Sequence, residues 1–291
     1  VVGTYFFRYF KDMCLKTLSQ WGNKVDIFLL GDKMDIFLLI LCFVIGAVMG
    51  SFYNVVIYRV PEKKSIVKHR SSCGSCGTVL KPVDLVPIFS YLFLRGKCRY
   101  CKQRISIQYP FVELITGLLF VLLYFKFSLS IEFLFSAYLV SILIIVFFID
   151  LKHLIIPNGL VIAALIGGLA LFVVRFFYTD SIIGNAPWYG SLLGAVIPSG
   201  FLLLVAILGY FAYKGEAMGL GDVKILIPIG LFLGLELSVL ALFLSMFVGG
   251  ITGLILIIAG IKDRKSQIPF GPFIVIGSLI SILYGNEILA A

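Results

Sequence analysis

Long apolar runs, broken by short polar stretches, fill most of this chain. The first runs from Asp35 to about Tyr58, and roughly 20 apolar residues suffice to cross a bilayer as a helix. Further runs extend from Tyr109 to about Phe127, Ile131 to Ile149, Leu154 to about Tyr178 and Trp188 to Tyr213. Two more follow, from Val223 to about Leu235 and from Leu237 to Ile261, and a last one opens at Ile268-Pro269-Phe270-Gly271-Pro272 and ends near Leu289. The pattern predicts an all-α polytopic membrane protein of about eight transmembrane helices. The run from Val223 is short for a span and carries Pro228. Residues 59–108 are the one sizeable polar segment, rich in proline, glycine and charge, and read as a compact insert outside the lipid.

Residues 1–33 break the pattern by mixing aromatic, basic and acidic side chains. Asp26-Ile27-Phe28-Leu29-Leu30 repeats as Asp35-Ile36-Phe37-Leu38-Leu39. This segment reads either as an extension outside the functional chain, with Met34 as the biological start, or as an amphipathic helix lying on the membrane. The expected organisation is therefore an N-terminal extension at 1–33, a first transmembrane helix at 34–58, the insert at 59–108 and a transmembrane core at 109–291.

Composition agrees with the pattern. Hydrophobic residues make up 60% of the chain and mean hydropathy is +1.08, where soluble domains hold roughly 45–50% apolar residues. The net charge of +9 lies in one place: from Arg59 to Arg104 there are eleven Lys or Arg against Glu62 and Asp84. Cytoplasmic loops carry such an excess, so the insert is expected in the cytoplasm. Counting spans from there puts 150–153, 214–222 and 262–266 on the same face, with Arg175 an exception near the outer end of the fourth span. Anionic lipid head groups are a natural partner for the basic segment. Nucleic acid is not, since no aromatic-rich basic groove accompanies the charge.

This topology brings two acids to one membrane face. Asp222 stands in Gly219-Leu220-Gly221-Asp222-Val223-Lys224, and Asp150 in Phe148-Ile149-Asp150-Leu151-Lys152-His153. A carboxylate at membrane depth is costly and marks a functional site by default. Taken singly, each is a helix cap or an interfacial charge. As a pair they point to an aspartic peptidase, in which two carboxylates held close share one proton and activate water between them. Gly219 and Gly221 leave room for a substrate strand beside Asp222. Lys152 and Lys224 read as snorkelling charges. His153 reads as a base, a modulator of Asp150 or an interfacial residue, Glu113 as a hydrogen-bond partner or part of a second site, and Asn54 as an interhelical hydrogen bond. Two other readings stay open: an ion- or proton-coupled transporter, against which both acids sit at helix ends, and a non-enzymatic assembly scaffold.

Cys73-Gly-Ser-Cys76 and Cys98-Arg-Tyr-Cys101 form two Cys-x-x-Cys pairs at two-knuckle spacing. In a reducing compartment such a quartet reads as a structural Zn²⁺ site, because four thiolates leave the ion no open position. The alternative is four free or redox-active thiols. Zinc would allow so small a polar insert to fold.

Together these residues resemble the type IV prepilin peptidase family, also called prepilin leader peptidase/N-methyltransferase. The resemblance runs through Gly50-Ser51-Phe52-Tyr53-Asn54, the cysteine pairs, Tyr109-Pro110-Phe111-Val112-Glu113, both aspartate motifs and Ile268-Pro269-Phe270-Gly271-Pro272. It implies a bacterial inner-membrane aspartic endopeptidase that removes the basic leader of type IV prepilins or pseudopilins after a glycine at the cytoplasmic face. It implies Asp150 and Asp222 as the catalytic pair, and N-methylation of the new N-terminus with S-adenosylmethionine (SAM), as in members that carry the cysteine insert. A homo-oligomer is left open. The chain departs from the family pattern at Gly74, where proline is usual, and at Asn158, where Leu-Pro-Asp often ends the motif. No glycine-rich nucleotide loop marks where SAM binds.

Overall fold

In a computed structural model the chain is described over residues 33–68, 70–177, 188–213, 219–261 and 268–290. The readings of residues 1–33 fall outside this range, save that the first helix begins at Lys33, as do the loop charges Lys214, Lys262, Arg264 and Lys265. The helices are α1 (Lys33–Arg59), a short α2 (Phe89–Phe93), α3 (Gln108–Phe127), α4 (Ile131–His153), α5 (Asn158–Phe177), α6 (Trp188–Tyr213), α7 (Leu220–Ile258) and α8 (Gly271–Ala290). A 3-10 turn at Pro82–Leu85 precedes α2. The described residues contain no strand, only isolated bridges between Ser72 and Val79 and between Lys97 and Arg104. Seven of the described helices are long and apolar enough to cross a membrane.

Seven becomes eight at Gly234. A straight helix of the 39 residues of α7 would run about 58 Å, nearly twice the roughly 30 Å hydrocarbon core. Gly234 interrupts it at φ 79°, ψ −178°, a conformation open essentially to glycine alone. On one side, Gly221 packs on Ile156 and Gly168 on Leu231, so residues 220–233 climb away from the Asp150 end beside α5. On the other, Leu237 meets Gly285, Ser245 meets Gly277 and Gly249 meets Phe273. That order is antiparallel to α8, so residues 235–258 come back down. The sequence pattern puts this reversal at 235–237; the structure makes it at the glycine just before.

Arg175 accounts for how such a break survives in an apolar setting. The last carbonyls of the ascending half lose their helical partners at Gly234. Arg175 is 4% exposed, and its guanidinium donates to the Leu231 and Phe232 carbonyl oxygens at 3.2 and 2.8 Å and to Ser191 Oγ at 2.5 Å. A cation at a helix C-terminus also complements its dipole. The arginine that breaks the charge rule is thus a buried helix cap.

Helix α4 is central, packing against α1, α3, α5, α7 and α8, with Leu143, Val146 and Ile149 fully buried. Lipid gives helices no hydrophobic reason to associate, so close backbone approach has to supply it. A Cβ on Gly50 would lie 2.8 Å from Glu113 Cα, and one on Gly230 would lie 2.0 Å from the Gly194 oxygen. Gly230→Ala is therefore expected to cost about 1–3 kcal/mol or more of thermal stability. Gly200→Ala, at an exposed helical position with nothing within 4 Å of the added methyl, is expected to be neutral or mildly stabilising. Melting the two purified variants side by side checks the contrast.

Candidate active site and metal centre

Asp150 lies one turn before the end of α4, the negative end of that helix, where a carboxylate is unfavourable on its own. It is 5% exposed. Its Oδ2 accepts the Gly271 N–H at 3.0 Å, and Gly271 is the first residue of α8. The start of one helix thus offers a donor and a positive dipole end to the acid at the end of another. A Cβ at Gly271 would fall 2.6 Å from the same oxygen, so only glycine permits the approach. Gly271 is a site residue that a search for acids and metal ligands passes over. Its signal is the Pro-Phe-Gly-Pro run, a helix start with no serine, threonine or acid of its own to accept the free N–H groups.

Asp222 occupies the first turn of α7, where a carboxylate suits the helix dipole. It is 8% exposed. Gly219 is the N-cap, at φ −70°, ψ 134°, an ordinary conformation; what it and Gly221 contribute is the missing side chain. Gly221 lets α7 press on Ile156, its Cβ position lying 3.1 Å from Ile156 Cβ. Alongside, Lys224 Nζ donates to Asn158 Oδ1 at 3.4 Å, and the asparagine that departs from the family pattern joins the start of α5 to α7. These contacts bring the two aspartates, 72 residues apart in sequence, within electrostatic reach of each other. His153 is exposed at the end of α4 and faces Glu62 electrostatically.

The insert lies at this same end of the molecule. Lys152 Nζ sits 4.9 Å from the Tyr58 ring centroid, near the end of α1. Within the insert the Sγ atoms of Cys73, Cys76, Cys98 and Cys101 all lie within 4.8 Å of one another, and Cys73 and Cys101 are 3.8 Å apart. A tetrahedral ion with metal–sulfur bonds near 2.3 Å spaces its sulfurs by about 3.8 Å, so the cluster fits one. Each knuckle is a tight turn: Cys73 N–H donates to Thr78 O and Cys98 N–H to Gln103 O. The backbone N–H groups of Cys76 and Ser75 hold the Cys73 thiol below its ordinary range, and those of Cys101 and Tyr100 do the same for Cys98. The Gln103 N–H pulls Cys101 down, but desolvation and the three neighbouring sulfurs outweigh it and push that thiol up to about 11. A bound cation would displace the protons these thiols retain.

Asp84 ties the second knuckle to the rest of the insert. Its side chain is 4% exposed and accepts from Arg99 Nε at 2.6 Å, Tyr100 Oη at 3.0 Å and the Lys81 N–H at 3.1 Å. Burial pushes this carboxyl up, but Arg99, the Lys81 N–H and Tyr100 together hold it below the usual range. Its contribution is accordingly present above the ordinary carboxylate range and lost as pH falls through the lowered value.

A cavity of about 670 Å³ lies between the insert and the adjoining ends of α1 and α3. Glu113, 7% exposed, faces it from α3. Its Oε2 accepts the Ile88 N–H at 2.7 Å, and Ser51 lies against the same carboxylate. Ile88 sits at φ 64°, ψ −53°, a genuine outlier for a β-branched residue. Asn54, from α1, is 1% exposed and donates to the Gly50 and Tyr109 carbonyls at 3.2 and 3.1 Å.

Comparison with known proteins places these features in a family setting. Residues 44–127, which hold the four clustered cysteines, Asn54 and Glu113, match the bacterial peptidase A24 N-terminal domain. Residues 137–254, which hold Asp150 and Asp222, match the type IV leader peptidase family. A prepilin leader peptidase/N-methyltransferase of Bacillus subtilis (strain 168) is 35% identical over 254 residues, covering 87% of this chain and 97% of that protein. One from Myxococcus xanthus is 36% identical over 75% of this chain and 62% of its own length. One from Aeromonas salmonicida is 31% identical over 85% of this chain and 91% of its own. No solved structure matches the chain.

Elemental analysis of the purified protein is expected to find about one tightly held divalent ion per chain, bound through four sulfurs. Cys98→Ser, at the buried cysteine of the cluster, is expected to release it.

Proposed function

This chain belongs to the type IV leader peptidase family, and from that footing we propose that it is a membrane aspartic endopeptidase cleaving the leader from type IV prepilins or pseudopilins. The observation that carries the proposal is the meeting of Asp150 and Asp222: buried, at one end of the helix bundle, and within electrostatic reach. In this reading the two carboxylates share one proton. The ionised partner takes a proton from water, whose oxygen attacks the scissile carbonyl carbon. The protonated partner donates toward the developing oxyanion. As the carbon–nitrogen bond breaks, the leaving amine takes up a proton and the dyad is reset for another turnover. Gly271 fixes the Asp150 carboxylate, and Gly219 and Gly221 leave space for an extended peptide beside Asp222.

We read this face as cytoplasmic and the membrane as a bacterial inner membrane. The support is the insert, where eleven basic residues stand against two acids between Arg59 and Arg104. The ion held by the cysteines is read as Zn²⁺ in a structural role. Four thiolates close its coordination, and the insert has few apolar contacts of its own to hold it folded. The second activity is N-methylation of the amine that cleavage frees. When bound, SAM supplies an electrophilic methyl group to that nitrogen, which gives up one proton as the bonding pair returns to sulfur.

Asp150→Asn and Asp222→Asn are each expected to lower leader removal by at least about 10²–10⁴-fold, with membrane insertion and metal content retained. Full processing of a pilin peptide by both single variants would sink the peptidase reading. Gly271→Ala is expected to reduce kcat by roughly 10²-fold, since a misplacement of about 1 Å is enough for that. Quantitative cleavage assays on membranes from each variant provide the measurement.

A further inference from the structure

The cavity between the insert and the ends of α1 and α3 does not surround the aspartate pair, and its chemistry differs. Three features distinguish it from a packing gap. Glu113 brings a carboxylate to it, buried to within 7%. Asn54 also lines it, and while the asparagine amide donates to two backbone carbonyls, its Oδ1 is buried and finds no donor among the described residues. Buried acceptors are nearly always paired, so an unpaired Oδ1 on a residue that lines the cavity marks a place for a donor. Finally, the rings of Tyr58 and Tyr109 stack at 5.5 Å and 9° along the same wall, offering aromatic surface to a planar group or a cation.

Basic side chains line the cavity too, Arg70 and Arg104 of the insert among them. A ligand that satisfies the whole cavity is cationic at one point, carries hydrogen-bond donors and a planar aromatic group, and has an anion for the basic side chains. At about 670 Å³ the space falls within the roughly 300–1,000 Å³ typical of small-molecule sites. We infer that this cavity is where the methyl donor binds. The cationic part of SAM lies toward Glu113 and Asn54 Oδ1, its adenine against the tyrosine pair, and its carboxylate toward the arginines. The inference rests on the methyl-transfer reading above.

The position suits that role. Tyr58 lines the cavity and also lies under Lys152, two residues beyond Asp150. An amine liberated at Asp150 is thus freed at the same end of the molecule as the cavity. Ile88 explains how the wall is held: its N–H pins Glu113 at the cost of a strained backbone. The insert thereby closes over the helix ends without a glycine-rich loop.

Titration of the purified full-length protein with SAM, compared with Glu113→Gln, tests the assignment. The glutamine oxygen still accepts the Ile88 N–H, so the variant removes the charge and keeps the pin. Binding is expected to weaken at least about tenfold, while leader cleavage and bound metal report that the variant is folded. Equal affinity for both proteins overturns the site. Ultraviolet crosslinking of radiolabelled SAM to the unmodified protein gives a second readout that needs no variant. Label is expected on the peptide holding Tyr58 or on that holding Tyr109. Label found only elsewhere, or a phospholipid that SAM does not displace from the cavity, overturns the site even if product peptides gain a methyl group. Absence of both SAM binding and methylated product overturns the methyl-transfer reading itself.

Discussion

A carboxylate buried in a membrane protein must be held by something other than water, and the hydrogen bond from Gly271 to Asp150 is how this fold does it. Asp150 stands at the unfavourable end of its own helix, and the N-terminus of α8 supplies the missing donor and positive dipole end. The geometry leaves no room for a side chain at Gly271. Asp222 needs a different remedy, because it already sits in the favourable first turn of α7. The site is thus a junction of three helix termini. Its position depends on where α4 ends and where α7 and α8 begin.

The rest of the bundle sets those termini. The reversal at Gly234 turns one over-long apolar run into an ascending half of about 21 Å and a longer descending one. The ascending half is shorter than the hydrocarbon core, and its Asp222 end packs against Ile156, just before the start of α5. Arg175 closes the top of that half-helix by taking its freed carbonyls. Gly194 and Gly230 clamp it to α6 at backbone contact. A charge at the far end of the bundle therefore helps to fix the end that carries Asp222. The insert follows the same economy in a polar medium. It is too small for a substantial core, and it relies on a sulfur cluster, the Asp84 hydrogen bonds and the Glu113–Ile88 pin.

Much of this was legible in the sequence because the governing periodicities are long. Apolar runs of membrane length mark the helices, and the cysteine spacing marks the cluster, whose sulfurs do converge. Two acids at run boundaries could be paired by counting spans, and the structure does bring them to one end. The devices that hold the site were not legible. Gly234 looks like any of the 29 glycines until neighbouring contacts reveal a reversal there. Arg175 looks like a topological exception until the freed carbonyls of Leu231 and Phe232 are found beside it. Gly271 acts through a backbone N–H, which every residue but proline possesses, so nothing in its letter announces a partner 121 residues away. Asn54 could be singled out as a polar residue inside a span and Glu113 as an acid at a span end, but the cavity they share is made by the insert folding over them, which no local pattern encodes.

Asp150 and Asp222 are proposed to act together on one scissile bond. The most direct measurement is a solved structure of the protein with a leader-peptide analogue whose scissile carbonyl is replaced by a tetrahedral hydroxyl. That hydroxyl is expected within about 2.6–3.2 Å of a carboxylate oxygen from each aspartate, with Gly271 still donating to Asp150. An analogue bound with its hydroxyl out of reach of either carboxylate would contradict it.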